Sequence, residues 1–189
     1  MSTHDELRLI ALEEFASGGY LGTSLQRIAE VAGVSKSSVL YHYSSKEALL
    51  EAGLRPAITA FTEILARMET TVMTTAGRAA FIADFVDCLL EYRLEIHIFI
   101  NQSRALVDIA IADEATGIIE RIASYFMSQD FTLDHKIRFG VALGGAAYTL
   151  ASRIGDEADE PIDELRAALI SILSELLAPV PVRSLDLAE

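Results

Sequence analysis

The sequence predicts an all-α protein, with a three-helix N-terminal helix-turn-helix head followed by a larger C-terminal helical bundle, about nine helices in total. Three observations lead there. Leucine, isoleucine and alanine dominate the 51% of apolar residues, and there are only four prolines in 189 residues, a composition that favours helix over sheet. Apolar side chains recur at helical intervals along most of the chain. Ser, Thr or Asp repeatedly stands just ahead of such a stripe, where a helix N-terminus needs a cap.

Taken in order, Thr3 to Glu6 reads as a capping box before Leu7, Ile10, Ala11 and Phe15, and Gly18-Gly19 ends that helix. Ser24 caps LQRIAEVA, which Gly33 stops, and Ser35 caps a third short helix through about Tyr43. Ser44 and Glu47 form another capping box for a long helix ending near Met68, with an irregularity expected at Pro56. Thr70 to Gly77 reads as a connection. Further helices are expected over Phe81–Tyr92, Leu94 to about Val107 (one helix or a pair of short ones), Glu114–Met127 and Asp134 to about Ile154. After an acidic loop over 155–160, Asp159 caps a last helix, with Pro161 in its first turn, to about Leu177. The expected division is a head over 1–46, a body over 47–178 and a frayed tail over 179–189.

Composition removes several classes of function. The single cysteine, Cys88, allows neither an internal disulfide nor a cysteine-based zinc site. The N-terminus lacks a basic-then-apolar leader, and the longest apolar run, near 139–152, is short for a bilayer span. A cytoplasmic, reducing setting with no membrane partner is expected. The net charge of −13 argues against broad nucleic-acid binding but leaves room for a small reading head.

Residues 32–50, AGVSKSSVLYHYSSKEALL, are dressed for contact. Two short helices joined by Ala-Gly-Val-Ser spell a helix-turn-helix, whose turn needs the glycine at 33. The second helix would project Lys36, Ser37, Ser38, Tyr41 and His42 outward. Serine hydroxyls can meet phosphates or base edges, Lys36 can neutralise a phosphate, and Tyr41 can offer its hydroxyl to the backbone or its ring to a thymine methyl. Lys46 can grip a phosphate at the start of the long helix. Thr23, Ser24, Ser35 and Tyr43 complete the candidate contact set. Against this, residues 1–50 carry four Lys or Arg and six acids, so two heads acting together would be needed.

These residues resemble the TetR-type transcriptional regulators. The likeness runs without a gap from Ile10 to Leu50. It is carried by Ala11, Leu12, Phe15, Ala16, Gly19, Tyr20, Thr23 and Ser24, then by Ile28, Ala29, Ala32, Gly33, Val34, Ser35 and Lys36, and finally by His42, Ser45, Lys46, Glu47, Ala48 and Leu49. The chain departs from the common pattern at Ser37-Ser38, Leu40, Tyr43, Ser44 and Glu14. The resemblance implies that the head binds a double-stranded operator, palindromic in form. It also implies that the body binds a small organic ligand and dimerises, and that ligand entry moves the fourth helix and releases the DNA.

For the body, helix phase together with the family's cavity names Phe61, Ile64, Met68, Phe85, Cys88, Leu89, Phe126 and Tyr148 as ligand candidates. His97, Asn101 and Arg104 share one helical face and line a pocket or face solvent. As in relatives, the last two helices would form the homodimer surface. Gly140, Gly144 and Ala147 supply a small-residue strip, and Leu165, Leu169, Ile172, Leu173 and Leu176 a face too wide for one neighbour. The reading is a ligand-responsive repressor of unidentified ligand. The alternative is a DNA-binding regulator without a ligand, its body serving dimerisation or a partner protein. No residue set points to a catalytic site, a metal or a cofactor, so an enzyme is not expected.

Overall fold

The computed structural model describes residues 3–70, 74–128, 131–152 and 161–178. Among the described residues there are nine α-helices and no strand: α1 (Thr3–Gly18), α2 (Leu25–Val31), α3 (Lys36–His42), α4 (Lys46–Thr70), α5 (Thr75–Glu91), α6 (Arg93–Asn101), α7 (Ala110–Ser128), α8 (Leu133–Ser152) and α9 (Ile162–Leu176). A short 3-10 turn, Ser103–Ala105, follows α6. The expected acidic loop over 155–160, the Asp159 cap, the tail from Pro179 and the side chain of Phe126 lie outside the described residues.

Local chemistry explains most helix ends. Ser24 Oγ accepts the Arg27 N–H at 3.1 Å, and Ser35 Oγ accepts the Ser38 N–H at 3.0 Å. Gly19 and Gly33 have φ of +76° and +68°, a region that costs a residue with a Cβ about 1–2 kcal/mol. Three ends differ from the sequence expectation. The cap of α4 is Ser45, not Ser44: its hydroxyl accepts the Ala48 N–H at 3.1 Å. The expected connection over 70–77 is helical from Thr75, because Thr74 Oγ1 accepts the Gly77 N–H at 3.0 Å. The helix expected from Glu114 starts at Ala110, after Asp108 turns the chain with a φ of +63°. The long α4 continues through Pro56 as one helix.

The head and body share one continuous apolar core. Within the head, α2 packs on α3, and Phe15, Ile28, Ala29 and Val39 are sealed from solvent. α1 belongs to both parts, packing on α2 and also on α4 and α6. Its crossing with α4 is close: a Cβ at Gly53 would stand 2.8 Å from Leu12 Cδ2. In the body α4 pairs with α7, α6 with α8, and α5 with α9. No helix among the described residues is long and apolar enough to cross a membrane.

Candidate nucleic-acid interface and ligand cavity

The outer face of α3 carries the side chains that could meet DNA. Lys36 and Ser37 are exposed, Tyr41 is 86% exposed, and His42 is half-buried with its ring edge-on to Tyr41. Lys36 forms no ion pair with another described residue, so its charge is available. Leu40 is also exposed. Ser24 and Ser35 are exposed, and Ser38 is half-buried; the hydroxyls of Ser24 and Ser35 already cap helices.

Three other candidates turn inward. Lys46, expected to reach a phosphate, instead donates from Nζ to Tyr20 O at 2.9 Å and Thr23 O at 3.2 Å, and lies 4.3 Å from the centre of the Tyr20 ring. Its start-of-helix position faces the α1–α2 turn, whose carbonyls hold the ammonium. Thr23 is buried and its hydroxyl donates to Glu14 O at 2.9 Å. Tyr43 is buried, donates to His4 O at 3.0 Å and stacks on the His4 ring. Burial pushes its phenol above the ordinary value. Tyr20 completes this lock: its hydroxyl donates to Glu47 at 3.1 Å, and burial, followed by that bond, pushes its pKa up to about 12. Glu14, an unexpected acid in the pattern, pairs with Arg27 at 2.8 Å and ties α1 to α2.

A cavity of about 280 Å³ lies inside the body. Leu54, Ala57, Ile58 and Phe61 of α4 form one wall, with Phe85 and Leu89 of α5. Glu95, Ile96, Phe99 and Ile100 of α6 form a second. Ala115, Ile118, Ile119 and Ile122 of α7 and Leu143, Gly144 and Ala147 of α8 complete it. Ile119 and Gly144 are exposed, so the cavity reaches solvent beside them. Three sequence candidates, Phe61, Phe85 and Leu89, line this space. Ile64 and Met68 instead border a separate crevice of about 130 Å³ with Phe81. Cys88 is buried away from the cavity, and burial pushes its thiol pKa up to about 12.

The polar face of α6 is not cavity wall. His97 Nδ1 is 2.7 Å from Ala151 O of α8, Asn101 is exposed beside it, and Arg104 is exposed in the 3-10 turn. Tyr148 is 60% exposed on α8. Sequence reasoning missed the contribution of α6 through Glu95, Ile96, Phe99 and Ile100. The polar residues 97 and 101, with Arg104 in the turn that follows, drew attention away from the cavity face of this short helix.

Residues 10–52 match the model of a family described as bacterial regulatory proteins, tetR family. The match covers the helix-turn-helix, less than a quarter of the chain. A curated relative, the HTH-type transcriptional regulator RutR of Escherichia coli K12, is 56% identical over 45 residues, which are 24% of this chain and 21% of RutR. The chain therefore matches about a fifth of that relative's length. The TetR-like architecture extends further. SCO3833, a TetR-family member from Streptomyces coelicolor A3, superposes with a TM-score of 0.70 at 19% identity, over 92% of this chain and 90% of that one. The ketosteroid transcriptional regulator KstR2 of Mycobacterium tuberculosis superposes with a TM-score of 0.69 at 15% identity, over 91% and 93%. At those identities the likeness is one of fold.

Within this TetR-like frame, one side chain joins the cavity helix to the head. Gln102, at the C-terminal end of α6, accepts the Tyr20 N–H at 2.5 Å and donates to Phe15 O at 2.7 Å. It thus fastens the α1–α2 turn from the body side, opposite Lys46. On the far side of the body, the sequence's dimer candidates divide. Leu169 and Leu173 are buried within the chain, Leu165 and Leu176 half-buried, and Ile172 exposed. Gly144 and Ala147 line the cavity. Gly140, Gly144 and Gly145 have open space where a Cβ would stand. The exposed apolar strip of α8 is Leu133, Ile137, Val141 and Tyr148, with Ile162 and Ile172 on α9.

Proposed function

We propose that this chain is a DNA-binding transcriptional repressor that acts as a two-fold dimer and leaves its operator when a small apolar ligand fills the body cavity. The observation that carries the reading is the double duty of α6: its apolar face lines the cavity, and its terminal Gln102 holds the turn that orients the head. A ligand that fits best with α6 displaced shifts the population of head orientations by as much as its affinity differs between the two states. The exposed Lys36, Ser37 and Tyr41, with the half-buried His42 beside them, read the groove. Lys46, Thr23 and Tyr43 shape the head that presents them. The apolar strip of α8 with Ile162 and Ile172 of α9 supports pairing of two copies. Such a pair would address half-sites about 34–36 Å apart, hence a palindromic operator. Two of the five helices that line the cavity, α4 and α6, pack on α1, which favours a ligand-responsive body over one that only dimerises.

The test is footprinting and gel shift of the purified protein on the intergenic DNA flanking its own gene, at low salt. Protection of a palindrome is expected. Absence of any retarded band would overturn the reading.

A further inference from the structure

The wall of the body cavity is apolar except at one residue. Glu95, in the first turn of α6, is 9% exposed and is the only buried Asp, Glu, Lys or Arg among the described residues. No ion pair engages it there. Its carboxylate takes its own backbone N–H, while Arg8 of α1 favours the charge from a distance and Glu91 opposes it. The net effect of burial is to push its pKa above the ordinary range, the behaviour of a carboxylate short of a partner. No Lys, Arg or His lines the cavity among the described residues.

These features select a ligand. Its body must be hydrocarbon-like to match the Ile, Leu and Phe walls. A carboxylate head would be buried without a donor and beside a like charge, a loss of several kcal/mol. A hydroxyl head could donate to the Glu95 carboxylate but would leave its negative charge uncompensated. A protonated amine would donate to it and also bring the cation that Glu95 lacks. We infer that the cavity takes apolar amines, with Glu95 as the counter-ion to the nitrogen, and excludes carboxylates of the same length. This rests on the reading of the cavity as the ligand site.

The experiment is calorimetric titration of the full chain, free of DNA, with decylamine, decanol and decanoate, each below its micelle concentration. Decylamine is expected to bind at least about tenfold more tightly than decanol, and decanoate not at all. Glu95→Gln is expected to abolish the preference for decylamine over decanol, while Glu95→Asp keeps part of it. Ala115→Phe, which fills the cavity, is expected to abolish decylamine binding. Decanoate binding as tightly as decylamine, an unchanged order in Glu95→Gln, persistence in Ala115→Phe, or no binding of any probe would each overturn the inference. A gel shift on the same samples separates it from the repressor reading. Decanoate that binds and releases the operator sinks the amine assignment alone. Decylamine that binds without releasing DNA sinks the ligand-responsive reading alone.

Discussion

The head and the body are built from the same helical grammar but put their chemistry on opposite sides of it. In the head, a tight core of Phe15, Ile28, Ala29 and Val39 lies beneath an outward row of polar and aromatic side chains on α3. Its turn is locked by hydrogen bonds from Lys46, Tyr20, Thr23 and Gln102. In the body the outer surface mixes charge with the exposed apolar strip of α8 and α9, and a second apolar surface lies inside, lining the cavity. A small unit that reads a groove needs rigid, exposed side chains. A unit that senses a small molecule needs space, and space inside a close-packed protein weakens it. The rigid part and the hollow part meet along α1 and the Gln102 bonds.

The strongest way to break this contrast is Phe15→Ala. Removing that sealed ring should cost about 3–5 kcal/mol, measured by denaturant unfolding. If the head is separable from the body, DNA binding is lost while the cavity still binds its ligand. Simultaneous loss of both would show that the two regions unfold as one unit through α1. Lys46→Ala comes next. It strips two carbonyls of their donor and should destabilise the head by about 1–3 kcal/mol, yet leave the salt slope of DNA binding unchanged. Lys36→Ala should do the reverse, preserving stability while reducing that slope by about 1. Equal slopes for both variants would move Lys36 off the DNA face. Gly33→Val, at a positive φ with no steric neighbour, should cost about 1–2 kcal/mol through backbone strain alone.

Gln102→Leu sharpens the seam itself. Operator affinity without ligand should change little, while ligand-driven release, read by gel shift titration, should weaken several-fold. Full release in the variant would mean that α4 alone carries the coupling. The smallest effect is a pH dependence. Glu95 has a folded pKa above its ordinary 4.5, so the folded protein binds the proton more tightly than the unfolded chain. Stability from this group therefore falls as pH rises from about 4.5 through the folded value. Glu95→Gln should raise the melting temperature relative to the parent at neutral pH, and the difference should vanish below pH 4.5. A gain that persists at low pH would assign the effect to packing instead of charge.

Much of the head was legible because its determinants are local. Ser24 and Ser35 cap where they were expected, and Gly19 and Gly33 hold backbone angles that only a residue without a Cβ adopts freely. Lys46 was misjudged for an instructive reason. A lysine at the edge of the α3 surface can point either way, and only the carbonyls of a turn more than twenty residues earlier decide which. In the body, Phe61, Phe85 and Leu89, named from helix phase together with the family's cavity, line the observed space, but Ile64, Met68 and Cys88, named the same way, face elsewhere. The period of a stripe says that a side chain points inward; it does not say whether a neighbour fills the space opposite.

The amino-acid order by itself determined the helical class, the Ser24 and Ser35 caps, the glycine turn and the outward face of α3, since these follow from interactions within a few residues of chain. The tertiary packing alone decided where the cavity lies, that Glu95 is the one charged residue lining it among the described residues, that Gln102 reaches the head, and that Lys46 turns inward. Those outcomes depend on which helix faces which across long sequence separations, and the geometry of such contacts exists only once the core has closed.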